Sequence, residues 1–427
     1  MRSLSRRGAT RSLLACFALS SLFALACSAP VSGEHTESSG AAITRGVRGD
    51  INGDGRADIA LTGGVIAGTY NPWNTIPVAF SLGDGTFSVT NKTVSSFATF
   101  ATQGAKAISG DFDGDGRADL ALTGGSIPGT SSPWNTIPVA FSNGDGSFRV
   151  TNDAVSGFPV YATQTSVAPV VGDFNNDGRD DIALAGGTNW NTVPIAFSNG
   201  DGTFRVTNDY VPNFPVFATQ GARLLAADFD GDGRSDLALT GGESPVSGSF
   251  TGTPWTTLPV AFSNGDGTFR VTNDPIANFG AYATQNALPV TGDFNGDGLG
   301  DVALTGGSPN WTTVPVAFSN GNGTFRVTND YVPSFPVFAT QSGAQVVAAD
   351  FDGDGRSDLA LTGGHIPTSG AAWNTIPVAF SNGDGTFRVT NDNVASFPLF
   401  ATQSAYPYSP TAVSGSEARW PLPQPIQ

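Results

Sequence analysis

Short apolar runs separated by polar, glycine-rich turns recur along the chain, and their lengths predict strands rather than helices. One unit shows the pattern. An apolar lead, Lys106 to Phe112, enters an acidic loop, and a second apolar run leaves it at Asp119-Leu120-Ala121-Leu122. The pair Gly124-Gly125 ends that second strand, and a variable loop follows. A third strand is expected at Thr136 to Ser142, T-I-P-V-A-F-S, and a fourth at Ser147 to Asn152, S-F-R-V-T-N. Between them Asn143 to Gly146 reads N-G-D-G, a strong hairpin signal. The connector Phe158 to Gln164, F-P-V-Y-A-T-Q, leads into the next unit. No long apolar pattern of helical period appears outside the N-terminus, so helix is expected to be scarce.

The unit occurs six times, with acidic loops starting at Asp50, Asp111, Asp173, Asp228, Asp293 and Asp350, 55 to 65 residues apart. A repeat of this period decides architecture ahead of any domain count from the 427-residue length. Four antiparallel strands per unit predict an all-β fold, a β-propeller of six four-stranded blades over residues 43–404. Ile43 to Gly49 is expected to supply the first strand of the first blade. Residues 405–427 read as a proline-rich tail with Tyr406, Tyr408 and Trp420, packed on the closure or loose. The alternative is seven blades, with the tail and N-terminal segment building a degenerate closing blade.

The 30 phenylalanines and 39% hydrophobic content suffice for a sizeable core. The formal net charge is −16, yet 21 of the 36 acidic residues occupy positions 1, 3, 5 and 9 of the six loops, so the acidity is local. With 20 Lys plus Arg and no basic stripe, nucleic-acid binding is not expected. Both cysteines, Cys16 and Cys27, lie near the N-terminus, which leaves the repeats without disulfides.

Arg2, Arg6, Arg7 and Arg11 precede an apolar run from Leu13 to Ala26, so residues 1–26 read as a signal peptide for export. The run ends F-A-L-A-C, which resembles the bacterial lipobox and makes Cys27 the expected lipidated residue and membrane anchor. Ordinary cleavage after Ala26 and secretion is the alternative. Residues 27–42 then form the lipidated Cys and a flexible tether. Ser28 after the cysteine, by resemblance to Gram-negative lipoproteins, favours an outer-membrane or cell-surface location.

The loops carry the candidate chemistry. Asp111 to Asp119 reads D-F-D-G-D-G-R-A-D. Such dense like charge repels itself unless a cation sits in its midst, and hard oxygen ligands at this spacing suit Ca²⁺. Side-chain ligands are expected from positions 1, 3, 5 and 9, and a backbone carbonyl from position 7. In chain order these are Asp50, Asn52, Asp54 and Asp58; Asp111, Asp113, Asp115 and Asp119; Asp173, Asn175, Asp177 and Asp181; Asp228, Asp230, Asp232 and Asp236; Asp293, Asn295, Asp297 and Asp301; and Asp350, Asp352, Asp354 and Asp358. Glycines at positions 4 and 6 let the chain curl. Leu122 stands at position 12, inside an expected strand, so the site is not an EF-hand. Up to six Ca²⁺ ions, mainly structural, would bring the formal charge from −16 to about −4. The alternative is solvated Asx turns without metal.

D-x-[DN]-x-D-G-x-x-D inside a blade resembles the FG-GAP/VCBS repeat of integrin-like propellers. The partner motif F-S-N-G-D-G-T-F, Phe197 to Phe204, resembles the same family. The resemblance implies a calcium-stabilised propeller, and in W-N-T-I-P-V-A-F-S-N-G-D-G-T-F it also looks like repeats of propeller lectins.

Each unit also has one tryptophan at the start of its third strand: Trp73, Trp134, Trp190, Trp255, Trp311 and Trp373. These rings and the connectors should share the face opposite the acidic loops. There they are either ligand-binding candidates that stack on sugars or wedges between blades. Gln103, Gln164, Gln220, Gln285, Gln341 and Gln403 repeat in register with them. The only histidines are His35 and His365, and no Ser-His-Asp set, P-loop or thiol nucleophile is present, so the protein does not read as an enzyme. The expected function is multivalent carbohydrate recognition at the cell surface. The alternatives are integrin-like adhesion to surface proteins and, further off, a polysaccharide-degrading enzyme.

Overall fold

The computed structural model describes residues 49–407, apart from residues 67, 70, 95, 247–248, 308–310 and 404. The expected targeting segment, Cys27, the tether and the tail beyond residue 407 lie outside the described residues. Six four-stranded antiparallel sheets form the blades of a propeller. In blade 2 the strands are Lys106–Gly110, Asp119–Thr123, Thr136–Ser142 and Phe148–Ala154, paired in that order. First strands of successive blades touch around the axis, and fourth strands form the rim. The second strand is buried throughout, whereas the fourth is only partly covered, as expected for a sheet edge.

The pairing of second and third strands stops at Ala121↔Val139. The next residue is Pro138, which has no N–H to donate, so the ladder ends there. The third and fourth strands stay in register over their full length, from Thr136↔Ala154 to Ser142↔Phe148.

The core lies between blades. Phe112, Phe141 and Phe158 pack with Ile182, Leu184 and Ala196 of the following blade. Loop residue Phe112 meets Phe204 of the next blade edge-to-face at 6.2 Å, and Phe351 meets Phe87 at 6.3 Å, which joins the last blade to the first. The connectors are one-turn helices, such as Phe158–Ala162 after Gly157 at φ 78°. Pro159 fits the first turn, where no N–H is needed. Phe158 and its five counterparts at the helix starts are fully buried.

Blade 1 is closed from the other end of the chain. Tyr406–Pro407 pairs with Ile59–Thr62 through Leu61↔Pro407 and Thr62↔Tyr406. The edge expected for Ile43 to Gly49 is thus taken by residues that read from sequence as tail, and the last blade element extends past residue 404. No seventh blade exists among the described residues. The one additional sheet there is the hairpin Glu243–Val246 with Ser249–Pro254, an elongated variable loop of blade 4. Deleting residues 405–427 should lower the unfolding midpoint by about 3 °C or more. An unchanged midpoint would show that this strand does not close the ring.

Candidate functional site

Each acidic loop is organised by its first and last carboxylates. Asp111 Oδ1 accepts N–H bonds from Gly114 at 2.7 Å and Asp115 at 3.1 Å, and Oδ2 accepts from Gly116 at 2.9 Å. Gly114 and Gly116 sit at φ 77° and 84°. In the third loop Asn176 replaces the first of these glycines and takes φ 58°, a conformation Asn tolerates. Asp119, at position 9, is 1% exposed. Its Oδ2 accepts from Phe112 N–H at 3.0 Å and its Oδ1 from Ser142 N–H at 2.8 Å, which fastens the loop to the third strand.

The loops are also fastened to one another. The position 8 N–H donates to the position 1 carbonyl of the preceding blade at 2.6–2.7 Å in all six blades, as in Ala118 to Asp50 and Ala57 to Asp350. The serine ending each third strand does the same through its hydroxyl. Ser142 Oγ donates to Ile51 O at 2.6 Å and Ser81 Oγ to Phe351 O at 2.7 Å, across the closure. Sequence reasoning missed this role, although Ser81, Ser142, Ser198, Ser263, Ser319 and Ser381 recur in register. It also missed the position 7 arginine: Arg117 pairs with Asp115 and donates from Nε to Ser142 O at 3.1 Å. In the fifth loop Leu299 stands there and lies against Gly231 of the preceding loop.

Three loops gather carboxylates into clusters whose oxygens lie within 4.8 Å of one another: Asp111, Asp113 and Asp115; Asp228, Asp230 and Asp236; Asp350, Asp352 and Asp358. Asp113 Oδ1 and Asp352 Oδ1 are buried without a hydrogen-bond partner. Burial, reinforced by neighbouring carboxylates, pushes Asp111 up to about 6 and Asp58, Asp236, Asp301 and Asp358 up to about 8. Asp119 and Asp181 are raised well above the carboxylate range by the same cause. An all-oxygen set of crowded, desolvated carboxylates fits a hard divalent cation.

The tryptophans lie with the connectors on the opposite face. Trp134 N–H bonds Gly125 O at 2.9 Å, and its ring covers Gly125, where a Cβ would come within 2.4 Å. The ring meets Phe100 of the preceding connector edge-to-face at 6.0 Å. Trp73, Trp134, Trp255 and Trp373 are 6–8% exposed, so they act mainly as wedges between blades, with one edge showing. Trp190 and Trp311 are less covered. They follow the short variable loops and face Tyr161 and Tyr282 in place of Phe. Trp311 and Trp373 donate from Nε1 to Gln285 and Gln341 at 3.1 and 2.9 Å.

Beside Trp134 the surface opens into a groove of about 310 Å³ lined by Phe100, Gln103, Ile127, Pro128, Trp134, Asn135, Thr136, Pro138 and Asn152. It combines an apolar wall with amides, and Ile127 at its rim is 48% exposed. The loops of blades 1 and 6 carry Ile66 and Ile366 at the same place, 50% and 41% exposed.

The FG-GAP-like repeat profile matches residues 42–122, 173–239 and 293–361, together just over half of the chain. No curated protein sequence matches. Among solved structures, an Agrocybe aegerita lectin that recognises non-reducing terminal N-acetylglucosamine is 24% identical, over 84% of this chain and 83% of that one, with a TM-score of 0.52. A variant of AofleA from Arthrobotrys oligospora is 13% identical over 84% and 96% of the chains, with a TM-score of 0.42. A Bacillus licheniformis rhamnogalacturonan lyase is 15% identical over 84% and 68%, with a TM-score of 0.30.

The raised carboxyls set a pH dependence. A carboxyl whose folded pKa exceeds its ordinary 3.8 favours folding below that value, and this contribution is lost as pH rises through about 8 for Asp58, Asp236, Asp301 and Asp358. In excess chelator the unfolding midpoint should therefore fall between pH 5 and pH 8.5, and Ca²⁺ should raise it more at the upper end. A chelator-insensitive midpoint throughout would count against a stabilising cation.

Proposed function

The chain belongs to the FG-GAP-like repeat family, and we propose that it is an exported, calcium-stabilised propeller that binds carbohydrate at several blade-edge grooves. The observation that carries this reading is the groove beside Trp134. Phe100, Ile127 and the exposed edge of Trp134 offer an apolar wall to one face of a pyranose, while Gln103, Asn135 and Asn152 offer amides to its hydroxyls. Exposed Ile66 and Ile366 recur beside Trp73 and Trp373 in blades 1 and 6, and binding there as well would let weak single sites add to useful avidity. The Agrocybe lectin shares this fold, which supports the reading. We read the protein as a binding module rather than an enzyme. His365, the one histidine among the described residues, turns Nδ1 to the backbone carbonyl of Ser342 at 3.1 Å.

A protein partner is the second reading. Val160, Val216, Val337 and Leu399 stand 47–54% exposed on the connector helices of the same face. On a glycan array the protein should bind a defined set of sugars, and Gln103→Ala should weaken binding at its groove by about 1 kcal/mol, the scale of one hydrogen bond, with the melting curve unchanged. Failure to bind any glycan on a broad array would remove the carbohydrate reading and leave adhesion.

Lipidation at Cys27 would hold the propeller at a membrane surface; no helix among the described residues is long and apolar enough to cross one. The Cys27→Ser variant should then move from the membrane pellet to the soluble fraction. Wild-type protein that is already soluble would favour simple secretion.

A further inference from the structure

The six acidic loops differ, and the difference alternates around the ring. Position 3 is Asp in blades 2, 4 and 6 (Asp113, Asp230, Asp352) and Asn in blades 1, 3 and 5 (Asn52, Asn175, Asn295). In the even blades an arginine of the fourth strand holds this carboxylate by Oδ2: Arg149 to Asp113 at 3.9 Å, Arg270 to Asp230 at 3.8 Å and Arg388 to Asp352 at 3.9 Å. These arginines are themselves fixed over the rings of Phe141, Phe262 and Phe380 at 4.2 Å. Oδ2 faces these arginines and Oδ1 the loop interior: in Asp113 and Asp352 it is buried without a partner, and in Asp230 it accepts the Asp232 N–H at 3.3 Å.

In the odd loops an amide donor closes the turn further. The Asn Nδ2 donates to the position 5 carboxylate, Asn52 to Asp54 at 3.2 Å, Asn175 to Asp177 at 3.1 Å and Asn295 to Asp297 at 2.9 Å. The Asn Oδ1 accepts the position 5 N–H at 2.8–2.9 Å. A cation entering an odd loop meets one carboxylate fewer. It must also displace an amide donor from a ligand oxygen.

We propose that the propeller carries two classes of calcium site, three tight ones in blades 2, 4 and 6 alternating with three weaker ones in blades 1, 3 and 5. This rests on the calcium reading above. Ligand charge tunes calcium affinity over decades, so the two classes should differ on the order of tenfold or more. Because each loop is bonded to its neighbours on both sides, every weak site lies between two tight ones. A fall in calcium would thus loosen alternate blades first and leave the ring closed.

The test is a calorimetric Ca²⁺ titration of the chelator-stripped full chain. Two phases of three ions each are expected. Asn52→Asp, Asn175→Asp and Asn295→Asp combined should merge them into one tight phase, and Asp113→Asn should move one ion from the tight phase to the weak one. Circular dichroism checks that each variant is folded, and the wild-type titration decides the matter by itself should a variant fail. Six equivalent sites, or a wild-type split other than three and three, overturns the two classes while keeping calcium. No heat and no shift of the melting curve with Ca²⁺ overturns both readings.

Discussion

The structure depends on a buried carboxylate at the ninth position of each loop. Asp119 has no exposure to speak of, yet it bonds two backbone N–H groups, one on its own loop and one on the third strand. Unpaired N–H groups at such a depth would each cost about 1–3 kcal/mol. The carboxylate that satisfies them is itself desolvated and crowded by like charge. One interaction therefore fixes blade geometry and also creates a demand for positive charge beside it, while the position 7 arginine of five loops is engaged with position 5, as Arg117 is with Asp115.

The same loops join blade to blade. Hydrogen bonds from position 8 to position 1, and from the third-strand serine to position 2, run through every interface including the one that closes the ring. Phenylalanine pairs pack behind them at five interfaces, and Ile51 with Phe148 takes that place between blades 1 and 2. In a chain whose repeats contain no cysteine, this ring of polar bonds backed by aromatic contacts takes the place of covalent staples.

The loops that join the blades and the groove beside Trp134 thereby lie on opposite faces. The acidic face is built from short, uniform turns. On the connector face the variable loops range from a hairpin in blade 4 to two residues between Gly187 and Trp190. Length changes there leave the pairing of third and fourth strands intact, so that face is free to diversify.

The sequence by itself determined the repeat, the blade number, the strands of each blade except the first of blade 1, and the acidic loops between first and second strands. These are local: strand alternation, N-G-D-G turns and Asp spacing are written within a single unit of some 60 residues. It also placed the tryptophans and connectors on one face. Only the tertiary structure decided that Tyr406–Pro407 closes blade 1, because a two-residue strand paired across the whole chain leaves no periodic signal. It turned the connectors into one-turn helices, too short for a 3.6-residue period to show. It buried most of the tryptophan rings between blades, leaving a groove at the edge of Trp134, since burial depends on the neighbouring blade and not on the tryptophan's own unit. The serine and arginine contacts were hidden for the same reason: their partners belong to another strand or another blade, and only closure of the ring brings them together.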